Sequence, residues 1–183
     1  MGSGMPTTTQ HDPDETPTEK TAETDELTIR PTGGADGAAM WRLARDSGSL
    51  DLNASYTYLL LARHFGTTCR VALLGEKAVG YVLGYRPPER PGSLFIWQVA
   101  VSSDARGRGL AGRMIQDVLD DHPDIGALEA TVTESNLASR ALFEGIARRH
   151  DASLTWRPFI REEDFPDGHE AEPMLEISPL SQH

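Results

Sequence analysis

Cysteine is nearly absent from this chain: Cys69 is the single one among 183 residues, so no internal disulfide can form. It is followed by the apolar run Val71–Leu74, and reads as a small buried side chain and not a nucleophile. Long hydrophobic runs are missing too. No stretch approaches the roughly 20 apolar residues that cross a bilayer. No basic segment followed by an apolar one opens the chain, so the expected address is cytoplasmic, with no membrane partner. Positive charge is scarce, with 17 Lys and Arg against 28 Asp and Glu. Much of that imbalance lies in residues 1–26, which have almost no large apolar side chains and carry seven acids against Lys20 alone. Such a segment cannot bury enough surface to offset its ordering entropy, and is expected to be a disordered acidic tail. Its first five residues resemble a cloning remnant. The rest holds 21 acids and 16 bases, an ordinary acidic surface that argues against nucleic acid as partner.

Residues 27–178 read as one domain, with 179–183 as a short C-terminal tail. Alternation predicts a first strand over Leu27–Pro31, then a helix over Gly33–Ala44. Asn53 is expected to cap a helix over Ala54–Phe65. Apolar runs on either side of Gly75-Glu76-Lys77 predict a hairpin, Cys69–Leu74 with Ala78–Arg86. The strongest strand is Ser93–Val101, followed after a glycine-rich turn by a helix over Leu110–Leu119. A strand over Ala127–Thr133, an Asn136-capped helix over Leu137–Arg149, and strands at Ser153–Trp156 and Met174–Ile177 complete a mixed α/β order.

The turn between Val101 and Leu110 carries the first chemical signal. Backbone N–H groups at a helix start lack internal partners and sit at the positive end of the dipole. Gly107 and Gly109 remove side chains that would hold a phosphate away, and Arg106, Arg108 and Arg113 add charge, so the turn suits a pyrophosphate. Two motifs overlap there. Gly107-x-Gly109-x-x-Gly112 matches a dinucleotide fingerprint, with Glu129 at a suggestive distance, but the motif lies mid-chain and lacks a second βαβ half. Arg106-x-x-Gly109-x-Ala111 resembles the coenzyme A signature of the GNAT superfamily of N-acetyltransferases. Its setting agrees: the strand Val99-Ala100-Val101 precedes it and an Asn-capped helix follows.

Five further segments resemble the L-2,4-diaminobutyrate acetyltransferases of ectoine synthesis, within that superfamily. They are Asp46–Tyr58, Gly84–Pro91, Trp97–Val101, Leu128–Thr133 and His169–Glu172. The resemblance spans about Leu27 to Ile177. It implies the GNAT fold, α/β (α+β), with a central, mostly antiparallel mixed sheet of six to seven twisted strands flanked by about four helices. It implies acetyl-CoA as co-substrate, no metal, a small diamino acid as acceptor, and a homodimer. Val99, Val101, Arg106, Gly107, Arg108, Gly109, Leu110, Ala111, Asn136 and Ser139 are then expected to contact coenzyme A, with a backbone N–H near Val99 meeting the oxyanion. Asp51, Tyr56, Trp97 and Gln98 are expected to bind substrate.

The reaction implied is direct attack of a neutral amine on the thioester, transferring acetyl to the 4-amino group of L-2,4-diaminobutyrate in a ternary complex. The amine is protonated in water at pH 7, so its proton needs an acceptor. Many relatives place Glu on the central strand, where Gln98 stands here, and Tyr where Phe143 stands. His169 and Glu172 are therefore the expected catalytic proton carriers. An acetyltransferase for another small amine is the nearer alternative, and a non-catalytic acyl-CoA-binding module is the alternative of another class.

Overall fold

The computed structural model describes residues 1, 26–48 and 50–181; the expected acidic tail lies almost wholly outside the described residues. The strands are β1 (Leu27–Pro31), β2 (Arg70–Leu74), β3 (Lys77–Tyr85), β4 (Ser93–Val101), β5 (Ala127–Thr131), β6 (Ser153–Ile160) and β7 (Glu172–Ser178). The helices are α1 (Gly37–Ser47), α2 (Ser55–His64), α3 (Leu110–Asp121) and α4 (Leu137–Arg149). One sheet runs β1-β2-β3-β4-β5-β7-β6. Every neighbouring pair is antiparallel except β4 with β5, which α3 connects. A parallel pair needs such a crossover, because a tight turn cannot return the chain in the same direction.

Each face of the sheet has its own core. On one, α3 and α4 pack through Leu110, Met114, Ile115, Val118, Phe143 and Ile146 onto Leu94, Ile96, Leu128, Leu175 and Ile177. On the other, Met40, Ala44, Tyr58 and Ala62 of α1 and α2 cover Tyr81, Leu83 and Ala100. Arg70 is fully buried and ties β2 to the far end of α3. Its guanidinium donates to the Thr67 and Cys69 carbonyls (3.0 Å each), the Asp117 carbonyl (3.1 Å), and the Asp117 and Asp121 carboxylates. All its donors have partners, which a buried guanidinium requires.

Several boundaries differ from those expected. α1 starts at Gly37, because Asp36 turns residues 33–36 by accepting the Gly33 N–H (2.8 Å) and the Arg30 guanidinium (2.8 Å). It ends at Gly48, whose φ of 65° is left-handed. Asn53 is not the cap of α2. The capping position is Ala54, and the Asn53 side chain donates instead to the Asp51 carbonyl at 3.4 Å. The stretch set apart as a C-terminal tail is packed where it is described. Leu180 is buried, its N–H donates to the Gly126 carbonyl (2.9 Å), and Ser181 pairs with His150.

Helices α1 and α2 meet at Gly37, where a Cβ would lie 2.7 Å from the Leu59 Cα. A methyl group there forces the backbones apart. Gly37→Ala should destabilise the protein by about 1–3 kcal/mol through overpacking, read as a lowered midpoint in urea. An unchanged midpoint would show that the two helices separate freely.

Candidate active site

The centre of the sheet is split. β4 and β5 pair only over Ser93–Ile96 against Ala127–Ala130. Beyond Ile96, β4 continues beside β3, while β5 ends at Thr131. The β5-side edge of Trp97–Val101 is left without a strand partner among the described residues, and backbone polar groups there need one. A second irregularity sits at the same place. Leu83 opposes Gln98 while the next residue, Gly84, opposes Ile96, so Trp97 is an extra residue. Its effect is to exchange the faces of β4. Leu94 and Ile96 face the α3–α4 core, and so do Val99 and Val101, whereas Ala100 joins the α1–α2 core. Gln98 shares the side of Ala100.

At the end of β4 a short 3-10 turn, Ser103–Ala105, leads into Arg106–Gly109 and α3. Gly107 (φ 76°) and Gly109 (φ 66°) take left-handed backbone, and a Cβ on either would meet nothing within 4 Å. The space beside them is open to a ligand. No side chain caps α3, so the N–H groups of Leu110, Ala111 and Gly112 face outward unspent. Leu110 is buried and anchors the first turn, with Arg106 and Arg108 exposed beside it. These features fit the pyrophosphate of coenzyme A, and the unpaired edge of β4 fits its amide-bearing arm.

The dinucleotide motif finds less support. A Cβ on Gly112 would meet its neighbours at an ordinary 3.6 Å, so tight helix packing does not demand that glycine. Glu129 is nearly fully buried and engaged by Arg90 at 2.8 and 2.6 Å. Burial pushes its carboxyl up, but the Arg90 guanidinium outweighs this and holds it below the usual range. Asn136 caps α4, accepting the Ser139 N–H at 3.0 Å. Phe143 lies in the apolar core, where it has no proton to give. Cys69 is buried, which pushes its thiol up to about 11 and makes a thiolate nucleophile costly.

On the α1–α2 side of the split, four of the expected residues come together from three distant segments. Gln98 Nε2 donates to the Asp51 carbonyl (3.2 Å), and His169 Nε2 lies 3.1 Å from the Asp51 carboxylate. Glu172 Oε1 is 4.0 Å from the same His169 nitrogen, and its other oxygen accepts from Thr131 Oγ1. Trp97, at the extra residue, is 38% exposed. Tyr56 stands apart, 69% exposed on the first turn of α2. Three residues of this region were not singled out by the sequence. Tyr81 donates to Gln98 Oε1 at 2.6 Å, Thr131 orients Glu172, and the Ser135 hydroxyl donates to Glu170 at 2.7 Å. Nothing local marks them, since each is an ordinary strand or turn residue whose partner lies far off in sequence.

His169 has acceptors on both ring nitrogens: the Glu170 carbonyl 2.8 Å from Nδ1 and Asp51 beyond Nε2. The Glu170 carbonyl first, and Asp51 second, raise its pKa above the ordinary 6.5. Both contacts favour the imidazolium, which carries a proton on each nitrogen. By NMR, His169 should titrate above 6.5, and Asp51→Asn should move that titration to lower pH. An unmoved titration would separate the two side chains.

Comparison with known proteins agrees with this geometry. Residues 38–146 match the model of the Acetyltransferase (GNAT) family. An L-2,4-diaminobutyric acid acetyltransferase of Nocardia farcinica is 46% identical over 149 residues, covering 80% of this chain and 77% of its own. One from Shouchella clausii is 42% identical over 161 residues, covering 86% and 90%. Among solved structures, the diaminobutyrate acetyltransferase EctA from Paenibacillus lautus, in complex with its substrate L-2,4-diaminobutyric acid and coenzyme A, superimposes with a TM-score of 0.82. It is 39% identical, covering 87% of this chain and 98% of its own. With the split sheet, the uncapped α3 and matches of this extent, the chain belongs to the GNAT acetyltransferases and, within them, to the L-2,4-diaminobutyric acid acetyltransferase family.

Proposed function

We infer that this protein transfers the acetyl group of acetyl-CoA to the 4-amino group of L-2,4-diaminobutyrate, giving N4-acetyl-L-2,4-diaminobutyrate. The observation that carries the reading is the Asp51–His169–Glu172 cluster beside the open edge of β4. Acetyl-CoA supplies the acetyl group as a thioester. Val99, Val101, the turn from Arg106 to Ala111, Asn136 and Ser139 would hold it. Among the described residues no group of three or more His, Cys, Asp or Glu side chains is placed to hold a metal ion.

The substrate brings two amines and a carboxylate. Asp51 and Glu172 supply negative charge for an ammonium, and Trp97 and Tyr56 offer a wall and a hydroxyl at the rim. The 4-amino group must lose a proton before it attacks. Glu172 presents Oε1 on the side of His169, and the pair takes that proton, with His169 able to accept only above its raised pKa. Activity limited by this step rises with pH through the His169 titration, because the acceptor must be neutral. Gln98 and Phe143 are neither base nor acid.

The family's pattern also supports a cytoplasmic homodimer that serves osmoadaptation through ectoine synthesis. Among the described residues no helix is long and apolar enough to cross a membrane. Light scattering should return about twice the 20.0 kDa chain mass; a monomer at working concentration would remove the dimer.

The central test is release of free thiol from acetyl-CoA in the presence of diaminobutyrate, ornithine or lysine. Diaminobutyrate should be strongly preferred, and mass spectrometry should place the acetyl group on the 4-amino nitrogen. Equal turnover on all three would leave only an amine acetyltransferase of broader scope, and no thiol release would favour a binding module. Glu172→Gln should lower kcat by about 100-fold or more, the usual range for loss of a positioned proton carrier.

A further inference from the structure

Gln98 stands on the central strand at the point where the sheet splits, and its surroundings define its task. The extra residue at Trp97 turns it to the α1–α2 side, where it is 9% exposed. Its amide is held at both ends. Tyr81 Oη lies 2.6 Å from Oε1, and Nε2 lies 3.2 Å from the Asp51 carbonyl. A backbone carbonyl can only accept, so Nε2 must face Asp51, Oε1 must face Tyr81, and the Tyr81 hydroxyl must donate. Tyr81 is suited to this. Burial first, and the neighbouring Tyr58 second, push its phenol far above the usual range, so it keeps its proton. Tyr58 is itself fully buried, its ring edge-on to Tyr81 at 6.2 Å, and its hydroxyl completes no hydrogen bond of good geometry. The direction of every proton from Tyr81 to Asp51 is therefore fixed by the protein.

We propose that Gln98, oriented by Tyr81, is a positioning residue that fastens the segment leading into α2 to the central strand, so that the Asp51 carboxylate meets His169. A carboxylate at position 98 would still accept from Tyr81, but would turn a second acceptor toward the Asp51 carbonyl and push that segment away. Glutamine thus supplies a donor that assembles the acidic end of the site. The kinetic part of this inference rests on the diaminobutyrate reading; the placement of Asp51 against His169 does not.

The test compares the full-length wild type with Gln98→Glu, Gln98→Met and Tyr81→Phe. For Gln98→Glu and Gln98→Met, KM for diaminobutyrate should rise tenfold or more while KM for acetyl-CoA stays within twofold. His169, followed by NMR, should titrate at lower pH as Asp51 moves off. Tyr81→Phe, which keeps the ring and removes only the donor, should give a smaller change in the same direction. An unmoved His169 titration in the Gln98 variants overturns the proposal, as does an equal rise in KM for both substrates. Wild type that releases no thiol with diaminobutyrate would defeat the functional reading instead, and the NMR arm would still decide the role of Gln98.

Discussion

The separation of β4 from β5 after Ile96 and Ala130 is the constraint on which the rest of the site depends. A fully paired central strand would offer no free backbone edge and no gap between the two halves of the sheet. The extra residue at Trp97 belongs to the same event, since it exchanges the faces of β4 at the point where pairing with β5 is lost. Valines 99 and 101 then lie toward the helices that flank the phosphate turn, and Gln98 lies toward the acids. One local irregularity therefore puts Val99 and Val101 on one side of the strand and Gln98 on the other.

The acidic end of the site is built from side chains of separate segments. Asp51 comes from the approach to α2, His169 from the loop before β7, and Glu172 from β7 itself. Two carboxylates brought this close repel each other, and His169, when protonated, offsets that repulsion. An incoming ammonium can do the same. A protonated His169 and an ammonium are thus electrostatically alike at this place, and the two acceptors of His169 favour its protonated form.

Much of this fold was legible in the sequence, and the reasons are local. Strand alternation in Leu27–Pro31, the turn at Gly75, and the cap at Asn136 all act over a few residues, and each element appears near its expected place. Asn53 misled because an Asn before a helix usually caps it, whereas here its amide serves the Asp51 carbonyl. The length of β6 was missed because Arg157 and Pro158 break the apolar pattern, although a bulge carries pairing on to Ile160. The phosphate turn was readable because its chemistry is contiguous. The meeting of Asp51, Gln98, His169 and Glu172 was legible only through resemblance, since no spacing rule joins Asp51 to Gln98, 47 positions on, or to His169, 118 positions on. Tyr81 and Thr131 were invisible because their partners Gln98 and Glu172 lie on other strands.

The buried Arg70 has a consequence for ligand binding. It grips α3 near its C-terminal end, through Asp117 and Asp121, and leaves the phosphate-facing turn at the other end unencumbered. Carboxylates near a helix C-terminus oppose the dipole, and the guanidinium neutralises that conflict in place. Those contacts hold the axis and rotation of α3 from within the protein. A ligand bound at the start of α3, as proposed for acetyl-CoA, then need not order that helix, and the ordering entropy is not deducted from its affinity.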